Sequence, residues 1–165
     1  MANADFEGRV YSANAPYSAG REKIREFASA VGATHPAHHD PVAARGSGYQ
    51  DLVAPPTFAV VVAQRAESQY ISDPGADVDF SRVVHADERF THHRPIVAGD
   101  ELTTVLHVDR VVNRGAISMV TTRCEIYAMP QSVEVPSPEA EAEAETPGEP
   151  VATVTSTLAI RGEDA

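Results

Sequence analysis

The sequence predicts an α+β domain, with helices first and an antiparallel sheet after them. Apolar residues recur at helical spacing only ahead of residue 70, and they alternate with period two in most of the chain beyond residue 82. No internal repeat interrupts this order, and 165 residues is the length of one domain.

The elements follow in turn. Arg21 to Val31 places Ile24, Phe27, Ala28 and Val31 on one apolar stripe, with Gly32 where a C-terminal cap sits. A loop rich in His, Pro and Gly runs from Ala33 to Pro55. Inside it Asp40-Pro41 reads as an N-cap followed by proline at the first helical position, opening a short helix through Ala44. Pro55-Pro56-Thr57 then opens a second helix running to Gln69, apolar on every side from Phe58 to Ala63 and so expected in the middle of the fold.

Beyond it, Arg82 to Phe90 is strand-like. Glu101 to Val112 carries Leu102, Leu106, Val108 and Val112 in phase, and Asn113-Arg114-Gly115 turns the chain into a partner strand over Ala116 to Tyr127. Val151 to Ile160 closes the set with Ala152, Val154, Ser156, Leu158 and Ile160 on one face. One sheet around one apolar helix is the simplest packing. Its open strand edge and leftover apolar surface favour a dimer.

Charge narrows the function classes. The net charge is −11, from 24 acidic and 13 basic side chains, and the basic ones do not cluster, which speaks against a nucleic-acid partner. Six glutamates, Glu134, Glu139, Glu141, Glu143, Glu145 and Glu149, fall between Met129 and Pro150 among five prolines and no Lys or Arg. This stretch, residues 129–150, reads as a disordered acidic insertion in the domain spanning 1–165, since it lacks apolar surface to offset ordering entropy. One cysteine, Cys124, fits a reducing compartment. No secretion signal or membrane-spanning run is visible, so the expected setting is cytoplasmic.

Chemistry concentrates in the histidines, of which there are seven: His35, His38 and His39 in the first loop, His85, His92 and His93 around the first long strand, and His107. Three readings fit the densest group. His35, His38, His39 and Asp40 are of metal-ligand type, but Pro36 interrupts any helix that would align them, so no metal is assigned. They can be surface residues of a polar loop, with Asp40 a helix cap. Or they can serve acid–base catalysis.

For the third reading the order of residues matters. Residues 32–41, Gly-Ala-Thr-His-Pro-Ala-His-His-Asp-Pro, are followed by Gly48-Tyr49 and then Val53-Ala54-Pro55-Pro56. This resembles the hydratase motif of MaoC-like hot-dog proteins: Gly-Asp-x-Asn-Pro-x-His-x-Asp-Pro, then Gly-Phe, then Ile-Ala-His-Gly at the start of the central helix. Phe90 to Asp100, with Arg94-Pro95-Ile96-Val97-Ala98-Gly99-Asp100, resembles the second signature of that family. With Gly20 to Phe27 and Ala54 to Phe58, the chain is most similar to the N-terminal-type MaoC-like dehydratase proteins of actinobacteria, over residues 5–128 and 151–162. The resemblance implies a single hot-dog domain, an antiparallel sheet wrapped around a long central helix. It also implies a (3R)-hydroxyacyl-thioester dehydratase or enoyl hydratase of fatty acid metabolism, acting on CoA or acyl-carrier-protein substrates without a cofactor.

Carried over residue by residue, the resemblance makes His38 the motif histidine. The aspartate position is Ala33, which moves no proton, and the asparagine position is His35. Where the family has His-Gly this chain has Pro55-Pro56, and Pro56 has no N–H; losing one oxyanion donor costs about a hundredfold or more in rate. Thr57 and Phe58 carry the nearest remaining amides. The expectation is a subunit whose His38 and His35 are the candidate catalytic groups, whose Tyr49, Pro56, Thr57 and Phe58 bind substrate, and whose hot-dog partner supplies most of the proton transfer. Two alternatives stay open: a self-sufficient homodimeric (R)-specific enoyl-thioester hydratase using His38, and a non-enzymatic acyl-thioester binding module. Arg94, Gly99 and Asp100 read as a turn with its charge partner, His92 and His93 as a sheet edge or subunit contact, and Cys124 as an inert strand thiol.

Overall fold

In a computed structural model that describes residues 1–12, 15–129 and 148–162, the apolar stripe of the first helix sets the start of the core. Helix α1 (Arg21–Ala30) buries Ile24 and Ala28 and rests Phe27 against the core. It closes in a Schellman motif: Ala33 N–H reaches the Ala28 carbonyl at 2.8 Å and Gly32 N–H the Ser29 carbonyl at 3.3 Å. Gly32 has φ +71°, a left-handed value that a side chain would resist.

A single 3-10 turn, Pro36–His38, leads to helix α2 (Pro41–Gly46), which Asp40 caps by accepting the Val42 N–H at 2.9 Å. Pro56–Phe58 form another 3-10 turn before helix α3 (Ala59–Ile71). The expected helix over 56–69 is thus a tight proline-led turn followed by a regular helix two residues longer. Ala59, Val62, Ala63, Ala66 and Tyr70 of α3 are buried while Gln64, Arg65 and Ser68 are exposed, so only its first turns are apolar. Its buried set also includes Glu67, at 1% exposure.

The strands are β1 (Val10–Ser12), β2 (Tyr17–Ser18), β3 (Val83–His92), β4 (Glu101–Arg114), β5 (Ile117–Ala128) and β6 (Glu149–Arg161). They form one antiparallel sheet ordered β1-β4-β5-β6-β3, with β2 also pairing with β4. Helix α3 packs against β1, β4, β5 and β6, which is the hot-dog arrangement. Alternation along β6 buries Ala152, Val154, Ser156, Leu158 and Ile160, as expected.

The β5–β6 register shifts once, at Val151, and bulges change the phase in β4 and β3 as well. In β4 the register slips between Val108 and Arg110, so Val111 rather than Val112 is buried. In β3 it slips between His85 and Asp87; His85 lies opposite Leu158 and Glu88 opposite Ser156, both buried residues of β6. The inner face of β3 therefore carries Val83, His85, Glu88, Phe90 and His92.

Most of the acidic insertion expected over 129–150 lies outside the described residues. At its far end Glu149 and Pro150 are already part of β6, so the strand begins two residues ahead of the expected Val151. Among the described residues, no helix is long and apolar enough to cross a membrane.

Candidate active site

The proline-led turn before α3 and the histidine loop after α1 meet at one cavity. Val53 holds them together: its N–H donates to the Ala37 carbonyl at 3.1 Å, and it bridges to Val97. Ala54 N–H donates to the Ile96 carbonyl at 2.8 Å, and Ala98 N–H to the Leu52 carbonyl at 2.8 Å, which docks the Pro95–Gly99 turn alongside. The result is a cavity of about 660 Å³ lined by His35, His38, Tyr49, Pro55, Pro56, His92, His93 and Arg94 among others. That volume suits a small organic ligand.

Hydrogen bonds fix the imidazoles. His38 Nδ1 lies 2.7 Å from the Val53 carbonyl oxygen. A carbonyl only accepts, so Nδ1 carries the proton and, in the neutral ring, Nε2 holds the lone pair. His35 has the opposite arrangement: its Nδ1 accepts the Ala37 N–H at 3.2 Å, which leaves Nε2 as the N–H donor. The two rings are 5.9 Å apart, centroid to centroid. One cavity wall thus carries a proton acceptor and a proton donor. His39 turns away, donating to the Ala33 carbonyl at 2.8 Å, and its own carbonyl accepts from Arg25 Nε at 2.9 Å.

Of the residues singled out in the sequence, His35, His38, Tyr49 and Pro56 come together here. Thr57 is exposed beside them without lining the cavity. Phe58 stands apart: its ring is fully buried, edge-on to Phe27 at 5.4 Å, and its N–H already donates to the Pro55 carbonyl at 2.9 Å. With neither Pro55 nor Pro56 bearing an N–H, Thr57 supplies the first uncommitted amide of the turn.

His92 and His93 are what the sequence reasoning left out of this cavity. The strand runs on to His92, two residues past its expected end, and the bulge after His85 turns His92 inward. His93 is tied by its N–H to the Val151 carbonyl at 2.9 Å. No aspartate or glutamate lines the cavity among the described residues. Asp40 is spent on the α2 cap, and Ala33 sits in the Schellman turn. Arg94 pairs in two-pronged fashion with Asp100, which confirms the turn and its charge partner read from the second signature.

The family model described as "FAS1-like, dehydratase domain region" matches residues 5–132. The chain belongs to this family of MaoC-like hot-dog proteins. A curated relative of the MaoC-like chain, a UPF0336 protein from Clavibacter michiganensis, is 46% identical over 163 residues, 99% of this chain and 98% of that one. Among solved structures it is similar to the C-terminally truncated HadBC (3R-hydroxyacyl-ACP dehydratase) complex from Mycobacterium tuberculosis. That likeness has 30% identity and a TM-score of 0.75, and covers 94% of this chain and 97% of the other. A MaoC-like dehydratase matches at 30% identity and a TM-score of 0.78, over 96% of this chain and 43% of that longer one. The MaoC-like chain therefore has the fold and kinship of a dehydratase-type subunit.

Proposed function

We propose that this protein is a cytoplasmic subunit of a (3R)-hydroxyacyl-thioester dehydratase of fatty acid metabolism, working on a CoA or acyl-carrier-protein thioester without a cofactor. It shapes the acyl pocket, and a hot-dog partner contributes most of the proton transfer. The dehydration removes a proton from C2 and a hydroxide from C3, giving the 2-enoyl thioester and water. It needs a base for the C2 proton, an acid for the leaving hydroxyl and donors for the enolate oxygen.

The observation that carries the reading is the cavity's composition. It has imidazoles, a tyrosine and prolines, but no carboxylic acid among the described residues, and Thr57 is the one free amide of its helix-entry turn. Such a cavity receives a thioester better than it turns one over. Likeness to the HadBC dehydratase complex supports assembly with a second hot-dog chain.

The opposed tautomers of His35 and His38 favour one second reading, a homodimeric (R)-specific enoyl-thioester hydratase with His38 as base and His35 as acid. Following the loss of enoyl absorbance with crotonyl-CoA separates the two. On the subunit reading the purified chain alone is inactive, and co-expression with a hot-dog chain bearing the Gly-Asp-x-Asn-Pro-x-His motif restores turnover that survives His38→Ala in this chain. Turnover by the chain alone, lost on His38→Ala, overturns it in favour of the second reading. Binding without turnover in any pairing leaves a thioester-binding module.

A further inference from the structure

On the outer face of the sheet, turned away from α3, Arg123 is matched by Asp109 at 3.0 Å and by Glu125. At the β4–β5 hairpin end of that face the balance changes. Val112, Met119 and Ala159 lie side by side on β4, β5 and β6 as a half-buried apolar stripe. Ile117, 47% exposed, stands in the next row between Arg114 and Arg161. Arg110, on the same face of β4, closes the other side of the stripe. All three arginines are exposed, and none has a carboxylate partner among the described residues. Glu163 and Asp164 follow Arg161 outside the described residues, so the charge of the patch rests on Arg110 and Arg114. The chain as a whole is at −11, but charges more than about 8 Å apart are largely screened at physiological salt, so distant carboxylates do not cancel this local field.

We propose that this patch docks the acidic amphipathic helix of a protein carrier, so that the thioester arrives on an acyl carrier protein rather than on CoA. The proposal rests on the dehydratase-subunit reading above. Arg110 and Arg114 lie about 13 Å apart along β4, the span of one α-helix of about 10–12 Å. A helix laid across the strands sets its apolar face on the stripe and a row of carboxylates against the arginines on each side. An anionic membrane has the same sign of charge, but the stripe is half-buried and carries no aromatic ring to insert. Placement agrees with a carrier. His92, at the wall of the candidate site, is level with Ile126 of β5, about 23 Å from Met119. An extended pantetheine arm spans about 18 Å, as roughly five extended residues do, and falls short of this chain's own cavity. The long open edge of the sheet is β3. A hot-dog partner that adds its own edge strand there in antiparallel fashion brings the far end of that strand level with Val84, and so with Met119. Three strand spacings, about 14 Å, then separate the patch from the partner's strand, within reach of the arm. The carrier is held by one subunit and served by the other.

Isothermal titration of the full chain with an acyl carrier protein in its apo form, which lacks the pantetheine arm, tests the surface apart from the active site. The apo carrier binds, and its affinity falls as salt is raised. Arg110→Glu combined with Arg114→Glu weakens it at least tenfold, and Arg45→Glu, at an exposed position of α2, leaves it unchanged. No binding of the apo carrier, equal binding by the double variant, or binding of phosphatidylglycerol vesicles in place of the carrier overturns the proposal. If the double variant does not fold, the methyl resonances of Ile117 and Met119 in the unaltered protein decide: they move on addition of the carrier, and stationary signals overturn the docking site. Crotonyl-CoA turnover needs no carrier, so it reports on the dehydratase reading separately and either can fail without the other.

Discussion

Arg94 and Asp100 are locked through two hydrogen bonds of 2.8 and 3.0 Å, and Asp100 Oδ2 also accepts the Val97 N–H at 2.9 Å. One carboxylate thereby closes the turn that carries Pro95 and Ile96 to the cavity wall. Asp100 is 8% exposed, and removing its charge leaves Arg94, itself only a quarter open, with Glu149 at 2.9 Å as its remaining carboxylate partner. Asp100→Asn is expected to cost about 2 kcal/mol of stability, the size of a lost hydrogen bond between charged groups. Urea unfolding measures it; a loss under 1 kcal/mol would show that the turn holds without the pair.

The tautomer of His38 is a second consequence of geometry. Its bond to the Val53 carbonyl requires a protonated Nδ1. Long-range 1H–15N correlation spectra of the neutral ring are expected to show Nδ1 as the protonated nitrogen in His38 and Nε2 in His35. The same tautomer in both rings would contradict the donor and acceptor assignment.

Glu88 gives a pH dependence of defined sign. Burial pushes its carboxyl above the ordinary 4.5, with the Ser156 hydroxyl, 3.0 Å away, pulling the other way. The native state then holds this proton to higher pH than the unfolded chain. Its contribution to stability is fully present below about 4.5 and declines as pH rises through the raised native value. Glu88→Gln keeps the bond from Ser156 and removes the ionisation. The variant is expected to gain stability over the parent at pH 8 and to gain less at pH 4, read from urea midpoints at the two values.

Cys124 is buried in β5, and burial, with Glu67 and Glu125 adding to it, pushes its thiol up to about 12. The reactive thiolate is therefore absent at pH 8 in the folded protein. A disulfide reagent such as DTNB is expected to release colour only when urea unfolds the chain. Prompt reaction in native buffer would place the thiol at the surface.

Local chemistry made much of this fold legible in advance. Gly32 ends α1, Asp40 and Pro41 start α2, and β6 alternates from Ala152 to Ile160, each because the signal lies within a few residues of its effect. Where the cause is distant the sequence misleads. Val111 replaces Val112 in the core through a bulge at Asp109, and pattern reading cannot see that an extra residue has been inserted. The buried state of Glu67 depends on His85, 18 positions away, and on Thr122, 55 away. His92 and His93 join His38 only because the β3 bulge and the pairing with β6 bring them back. Strands β1 and β2, of three and two residues, are too short to show a period.

Two successive prolines at positions 55 and 56, neither with an N–H, leave a gap in any amide-detected measurement. Between Ala54 and Phe58, both of whose protons are committed, Thr57 is the lone backbone reporter on the cavity rim. Its exchange rate with deuterated solvent should be fast in the empty protein and slow when a carbonyl settles against it, so a single resonance doubles as an occupancy gauge.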